Sequence, residues 1–228
     1  RYLHSNMNSF AVYHQCYKNE KATDFAIENF RKHNPDVPYY LISDGGLNFE
    51  HLAKKYNCIY VHDENNTGLN YLPRDRAQRM IERIKTFFNT VNTEYGLYME
   101  DDVYCVNKIE LPRPFNIWML PQRNNKLSVY RTILQYNQKP NVDWFGGCGG
   151  TVWNRNIFVE QRYIDIINDF FQNNYNSCCG TIDELIPTLY LICGLECEGS
   201  EFLSDANATG GDAFNPKYKL IHAYKKMY

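Results

Sequence analysis

The sequence predicts an α/β protein with a mostly parallel central sheet flanked by helices. Short apolar runs of strand type alternate with helix-period segments through the first half, the rhythm of strands joined by crossover helices. Each run ends at polar or acidic residues, which aligns a polar edge along one side of the sheet. At 228 residues the chain has the length of one domain with a substantial core, divided into a regular half, 1–106, and a less regular half, 107–228.

Phe10, Ala11, Val12, Tyr13 and His14 read as the first strand. A helix over 21–32 follows, with Phe25, Ala26 and Phe30 turned to a core and Asn34-Pro35 closing it. Residues 37–42 supply a second strand, Ser43-Asp44-Gly45-Gly46 a turn, 49–56 a short helix, and 58–61 a third strand ending at His62-Asp63. The clearest helix spans 72–88: Pro73 suits its first turn, and Ala77, Ile81, Ile84 and Phe88 form an apolar stripe opposite a basic face. A fourth strand over 95–99 then delivers Glu100, Asp101 and Asp102.

Beyond that point, 107–142 mixes prolines, asparagines and basic residues and reads as a long connection with one short helix at 127–136. A strand-like Trp144-Phe145, the glycine run 146–150, and a further strand-like Thr151-Val152-Trp153 follow. Helices are expected over 157–171, with Ile164, Ile167 and Phe171 on one side, and over 183–191. The tail passes the Gly210-Gly211-Asp212 turn and runs to 220–226.

A net charge of -2 argues against general nucleic-acid binding, so phosphate recognition has to be local. No apolar run reaches the roughly 20 residues of a membrane span. Arg1 opens no basic-then-apolar leader, and the missing initiator methionine suggests a trimmed terminus. A cytoplasmic location is expected; the sequons Asn65-Asn66-Thr67 and Asn207-Ala208-Thr209 keep a secretory lumen open. The eight cysteines lack paired CxxC spacing and read as reduced, packed thiols, with a disulfide framework as the alternative.

Three adjacent acids at the end of an apolar strand repel one another unless a cation or a cleft compensates. Open α/β sheets bind ligands at the carboxyl ends of their strands, which is where this cluster falls. Alternation sends Glu100 and Asp102 to one face and Asp101 to the other. Asp102 is the first choice as a metal ligand, with Glu100 acting directly or through water, and hard oxygen ligands suit Mn²⁺ or Mg²⁺.

An α/β half ending in such an acidic triplet resembles the GT-A fold of nucleotide-sugar glycosyltransferases, in which a DxD-type motif binds Mn²⁺ or Mg²⁺ with the donor diphosphate. The chain is also similar to glycosyltransferase domains of large DNA viruses of algae, which would place it in host cytoplasm. The resemblance implies that 1–106 binds a nucleotide sugar, UDP-sugar above all, and that 107–228 meets a glycan acceptor. It implies Tyr13, His14 and Gln15 beside the base or ribose, and Asp44 at the base or sugar hydroxyls; the plainer reading of Ser43-Asp44-Gly45-Gly46 is a turn. Arg74, Arg76 and Arg79 offer guanidinium to the donor phosphates, Arg76 foremost, or else form a solvated helix face. His222 completes the metal ligands and Lys225, or Lys226, neutralises the departing diphosphate.

An inverting transfer needs a carboxylate to take the acceptor proton. Asp183 is the candidate, followed by Glu184 and then Asp212, because Thr181 and Glu184 have capping-box spacing that would tie Glu184 to the backbone. The run 146–150 matches neither a Walker loop nor GxGxxG and reads as a close backbone approach to a sugar. Trp144 and Trp153 either stack on a sugar or lie in the core. The sequence thus reads as an inverting, metal-dependent glycosyltransferase. Its alternatives are a retaining glycosyltransferase, a noncatalytic nucleotide- or glycan-binding module, and a metal phosphohydrolase for which no second acidic cluster is evident.

Overall fold

The computed structural model describes residues 9–67, 72–111, 113–119, 127–137, 140, 147–175, 179–200, 203–205 and 217–222. Its strands are β1 (Phe10–Cys16), β2 (Tyr39–Asp44), β3 (Ile59–Asp63), β4 (Tyr95–Met99), β5 (Val103–Cys105), β6 (Ile117–Met119), β7 (Val152–Asn154), β8 (Cys197–Gly199), β9 (Leu203–Asp205) and β10 (Leu220–His222). The helices are α1 (Glu20–His33), α2 (Glu50–Tyr56), α3 (Arg74–Val91), α4 (Leu127–Tyr136), α5 (Asn156–Val159), α6 (Gln161–Asp169) and α7 (Ile182–Ile192), with a π-helical turn at Phe170–Asn174.

Seven strands form one sheet in the order β3-β2-β1-β4-β7-β6-β8. β3, β2, β1 and β4 pair in parallel, whereas β7 runs antiparallel to both of its neighbours. The protein is therefore α/β with a mostly parallel central sheet flanked by helices. Alternation along β1 sends Ala11 and Tyr13 to a core shared with α3 and α7, and Val12 and Cys16 to a core shared with α1 and α2. The sheet is buried on both faces, as parallel sheets require.

The flanking helices begin and end for local reasons. Asn19 caps α1, its side-chain oxygen accepting from the Ala22 amide at 3.1 Å. α3 buries Ala77, Met80, Ile81, Ile84, Phe87 and Phe88 against the sheet, and each large side chain there contributes about 1.5 to 3 kcal/mol. Asn92, in the left-handed region at φ 51°, ends it.

The second half departs from expectation in three places. Within the expected connection 107–142, Ile117–Met119 forms the buried strand β6, with Trp118 stacked on Phe115 at 4.1 Å between ring centroids. The helix expected over 157–171 is broken at Glu160, whose extended backbone (ψ 125°) separates α5 from α6. A second sheet of order β5-β10-β9 stands beside the first. Trp144, Phe145, Gly146, Cys178, the second sequon, Asp212, Lys225 and Lys226 lie outside the described residues. No described helix is long and apolar enough to cross a membrane.

Candidate metal centre

The parallel strands deliver Gln15, Asp44, Asp63 and the acidic turn to one edge of the sheet. Tyr98 and Glu100 share a face, and the Tyr98 hydroxyl donates to Glu100 Oε1 at 3.0 Å. Asp101 turns to the opposite face, where Thr23 Oγ1 donates to its Oδ1 at 2.8 Å and His14 Nε2 lies 3.3 Å away. His14 is held in turn at Nδ1 by the Tyr39 hydroxyl, 2.8 Å away. Asp101 thus fastens the turn from behind and leaves Glu100 and Asp102 on the other face.

Antiparallel pairing of β10 with β5 sets His222 opposite Val103 and so next to Asp102, 120 residues earlier in the chain. His222 Nε2 lies 3.5 Å from Asp102 Oδ1 and 4.0 Å from Glu100 Oε2. One ligand atom from each of the three residues falls within 4.8 Å of the other two, so Glu100, Asp102 and His222 could hold one metal ion. Two carboxylate oxygens and an imidazole nitrogen are a donor set that a divalent cation can take. The His222 and Asp102 side chains are 6% and 12% exposed while that of Glu100 is 36% exposed, so the group opens to solvent on the Glu100 side.

Crowding perturbs these acids. Burial and then the Asp102 carboxylate push the Glu100 pKa up, against His222, the Tyr98 hydroxyl and the Gly149 amide. Asp183, half-buried in the first turn of α7, is pushed up to about 7 by burial and then by Glu100, with Glu184 and Asp102 adding and His222 opposing. Asp183 therefore belongs to the electrostatic neighbourhood of the triad.

A glycine loop fixes that relation. Pro187 sits inside α7 and has no N–H to give the Asp183 carbonyl four residues back. The Gly147 amide takes that carbonyl instead, at 2.8 Å. Two residues on, the Gly149 amide donates to Glu100 Oε2 at 3.1 Å, and a Cβ on Gly149 would lie 2.5 Å from Val103 Cγ2 and 2.9 Å from Glu100 Oε2. From sequence the run is expected to approach a sugar; the approach that the structure shows is of Gly149 to the acidic turn. At the start of α7 the capping box gives way to another tie: Thr181 makes no side-chain cap bond, and Glu184 Oε2 accepts from the amide of Gly180, the residue before the cap, at 2.6 Å.

Other expected site residues are placed differently. Tyr13 is wholly buried among Tyr40, Phe87, Tyr98 and Trp153, and His14 is wholly buried behind the acidic turn; both positions are taken up by packing rather than by a ligand surface. Trp153 likewise is core. Asp44 is not open to sugar hydroxyls. Its carboxylate accepts from Gln15 Nε2 at 2.9 Å, the Thr67 amide at 2.8 Å and Arg83 Nη1 at 2.6 Å.

Arg83 is the residue that sequence reasoning missed. It also binds Asp63, through Nη2 at 2.8 Å, and the Asn65 carbonyl at 2.6 Å, so it ties the ends of β2 and β3 to the turn over 63–67. Its signal was a charged residue on the buried stripe of α3, between Met80 and Phe87. Of the other arginines, Arg74 donates to the Tyr175 carbonyl at 3.3 Å and Arg79 stands 3.8 Å from Asp63. Arg76 carries a buried Nη1 without a hydrogen-bond partner among the described residues. Among the described cysteines, Cys16, Cys58, Cys105, Cys193 and Cys197 form no disulfide, and burial raises their thiol pKa, which makes them poor nucleophiles. No protein-family model matches the chain, and no curated protein matches it.

Proposed function

We propose that the protein is a metal-dependent glycosyltransferase of the GT-A type, which transfers a sugar from a nucleotide diphosphate, a UDP-sugar, to a hydroxyl of a glycan with inversion. The observation that carries this reading is the Glu100, Asp102 and His222 group at the carboxyl edge of a mostly parallel sheet, with Asp183 beside it. Mn²⁺ or Mg²⁺ held by these three residues would supply positive charge for a donor diphosphate. The exposed side of Glu100 leaves room for that diphosphate, and Tyr98 and the Gly149 amide orient its carboxylate.

Asp183 suits the part of general base. A carboxyl with a pKa raised to about 7 is far more basic than an ordinary aspartate and still ionises near neutrality. The glycine loop holds its backbone in register with Glu100, so the proton acceptor and the diphosphate end of the site are built on one rigid connection.

Calorimetric titration with UDP, with Mn²⁺ and with chelator, is the first test. Binding is expected only with the metal, and Asp102→Ala, folded by circular dichroism, is expected to lose it. Equal binding in chelator removes the reading. A donor screen that follows released nucleotide and product anomer then separates an inverting enzyme from a retaining one, and metal-dependent binding without turnover identifies a binding module.

A further inference from the structure

Pro187 is buried and lies past the first turn of α7, where proline is no longer tolerated without loss. At that depth it removes the amide that would close the i→i−4 bond, and its ring crowds the carbonyl that amide should have met. That carbonyl belongs to Asp183. Alanine or leucine would fill a core position here and suit the helix better. α7 carries the proline, and the freed oxygen is put to use, since it accepts from the Gly147 amide at 2.8 Å.

Gly147 opens a loop that is clamped at both ends. At the far end the Gly150 amide donates to the Tyr98 carbonyl at 2.7 Å and the Tyr98 amide to the Thr151 carbonyl at 2.8 Å, which fixes the loop to β4. Thr151 Oγ1 closes the turn by donating to the Cys148 carbonyl at 2.6 Å. Gly150, at φ 93°, packs so closely that a Cβ on it would lie 2.5 Å from Leu203 Cδ1. At the near end the Gly147 amide is held by the Asp183 carbonyl, and a Cβ on Gly147 would stand 3.3 Å from Pro187 Cγ. Gly149 lies between the two clamps, and its amide donates to Glu100 Oε2, the same oxygen that is 4.0 Å from His222 Nε2. The aim of that amide therefore depends on α7 presenting a carbonyl that no helical N–H has claimed.

We propose that Pro187 is a positioning residue for the metal centre: by withholding an N–H from the Asp183 carbonyl it reserves that oxygen for Gly147, and so aims the Gly149 amide at Glu100. The proposal rests on the reading of Glu100, Asp102 and His222 as a metal site. It goes beyond that reading in making a proline of the helix core a determinant of metal affinity.

Mn²⁺ is titrated into the wild type and into Pro187→Ala, with the free ion followed by EPR. Alanine supplies the missing N–H, so the affinity is expected to fall about tenfold, the scale of loss when a contact that orients a metal ligand is removed. A third protein carries lactic acid at residue 187, introduced by nonsense suppression with the α-hydroxy acid. It has the side chain of alanine and an ester in place of the amide, and with no N–H it is expected to restore most of the affinity. Unchanged affinity in Pro187→Ala overturns the proposal. So does an ester variant as weak as the alanine one, because loss of the packed ring would then be the cause. If Pro187→Ala does not fold, glycolic acid in place of Gly147 removes the same bond from the donor's side and leaves α7 intact. A loss of about tenfold there supports the proposal, and unchanged Mn²⁺ binding overturns it. A wild type that binds no Mn²⁺ overturns the metal reading itself, a result distinct from Mn²⁺ binding that is indifferent to residue 187.

Discussion

Arg83→Met removes a guanidinium that is 7% exposed and bonded to Asp44, Asp63, Thr67 and the Asn65 carbonyl, while keeping much of the buried stem. Two carboxylates are left behind, Asp44 with 3% of its side chain exposed and Asp63 with 19%. Removing one member of a buried ion pair costs about 3 to 5 kcal/mol, chiefly because the other charge is stranded. Asp44 keeps its bonds from Gln15 and the Thr67 amide, so the lower end, about 3 kcal/mol, is expected at pH 7. For a chain of this length that lowers Tm by about 6 to 12 °C. The loss should shrink in acid. Burial alone would raise the Asp63 pKa, but the Asn65 amides and the Arg83 guanidinium outweigh it and hold Asp63 at about 2 instead of 3.8. A depressed folded pKa gives stability that is complete above about pH 4 and lost as pH falls through 2, about 2 kcal/mol in this case. Urea unfolding of both proteins at pH 7 and pH 2.5 measures the difference. A cost below about 1 kcal/mol at pH 7, or the same cost at both pH values, would refute the buried-pair argument.

Asp183→Asn reads the opposite sign. In the chelated protein Asp183 has a folded pKa of about 7, above its ordinary 3.8, so its contribution is intact below about pH 4 and lost as pH rises through 7. The asparagine variant should therefore melt higher than the wild type at pH 8, by the equivalent of about 2 to 4 kcal/mol, and alike near pH 4; coincident melts at pH 8 would mean a solvated carboxylate. Gly149→Ala sets a Cβ 2.9 Å from Glu100 Oε2 and 2.5 Å from Val103 Cγ2. Displacing that ligand should weaken Mn²⁺ binding about tenfold or more, read from the free-ion EPR signal, and unchanged affinity would detach the loop from the metal site.

The first half of the fold is legible in sequence because its elements are long enough to carry a period. β1, β2 and β4 are apolar runs that end at polar residues, α1 and α3 carry a 3.6-residue stripe, and the period of two along an extended chain separates Asp101 from Glu100. β6, β7, β8 and β9 have three residues each, too few for a pattern, and the antiparallel direction of β7 has no local signature. His222 could be named by type only, since nothing near it in sequence encodes pairing with β5. Gln15 and Asp44 lay in view as strand-end polar residues. What separates them, a carboxylate fully engaged and an amide oxygen without a hydrogen-bond partner among the described residues, depends on Arg83 and on Thr67, 23 residues beyond Asp44. Pro187 was visible as a helix irregularity; its consequence, a freed Asp183 carbonyl taken by Gly147, required the loop's position.

Raised pKa values at Glu100 and Asp183 mean that the folded chain holds these carboxyls where their charged forms are disfavoured. A sequence selected for stability alone would let such a cluster spread into solvent. Here several independent contacts keep it together. Thr23 and His14 pin Asp101, Tyr98 and Gly149 pin Glu100, and the carbonyl freed by Pro187 ties the Asp183 turn to the loop that carries Gly149. The Tyr98 and Gly149 bonds stabilise the Glu100 charge in part, but burial and the Asp102 carboxylate outweigh them. A divalent cation would relieve that penalty directly, by stabilising the charged carboxylates that burial and mutual repulsion now penalise, which is why the cluster's geometry and its unfavourable electrostatics point to the same occupant.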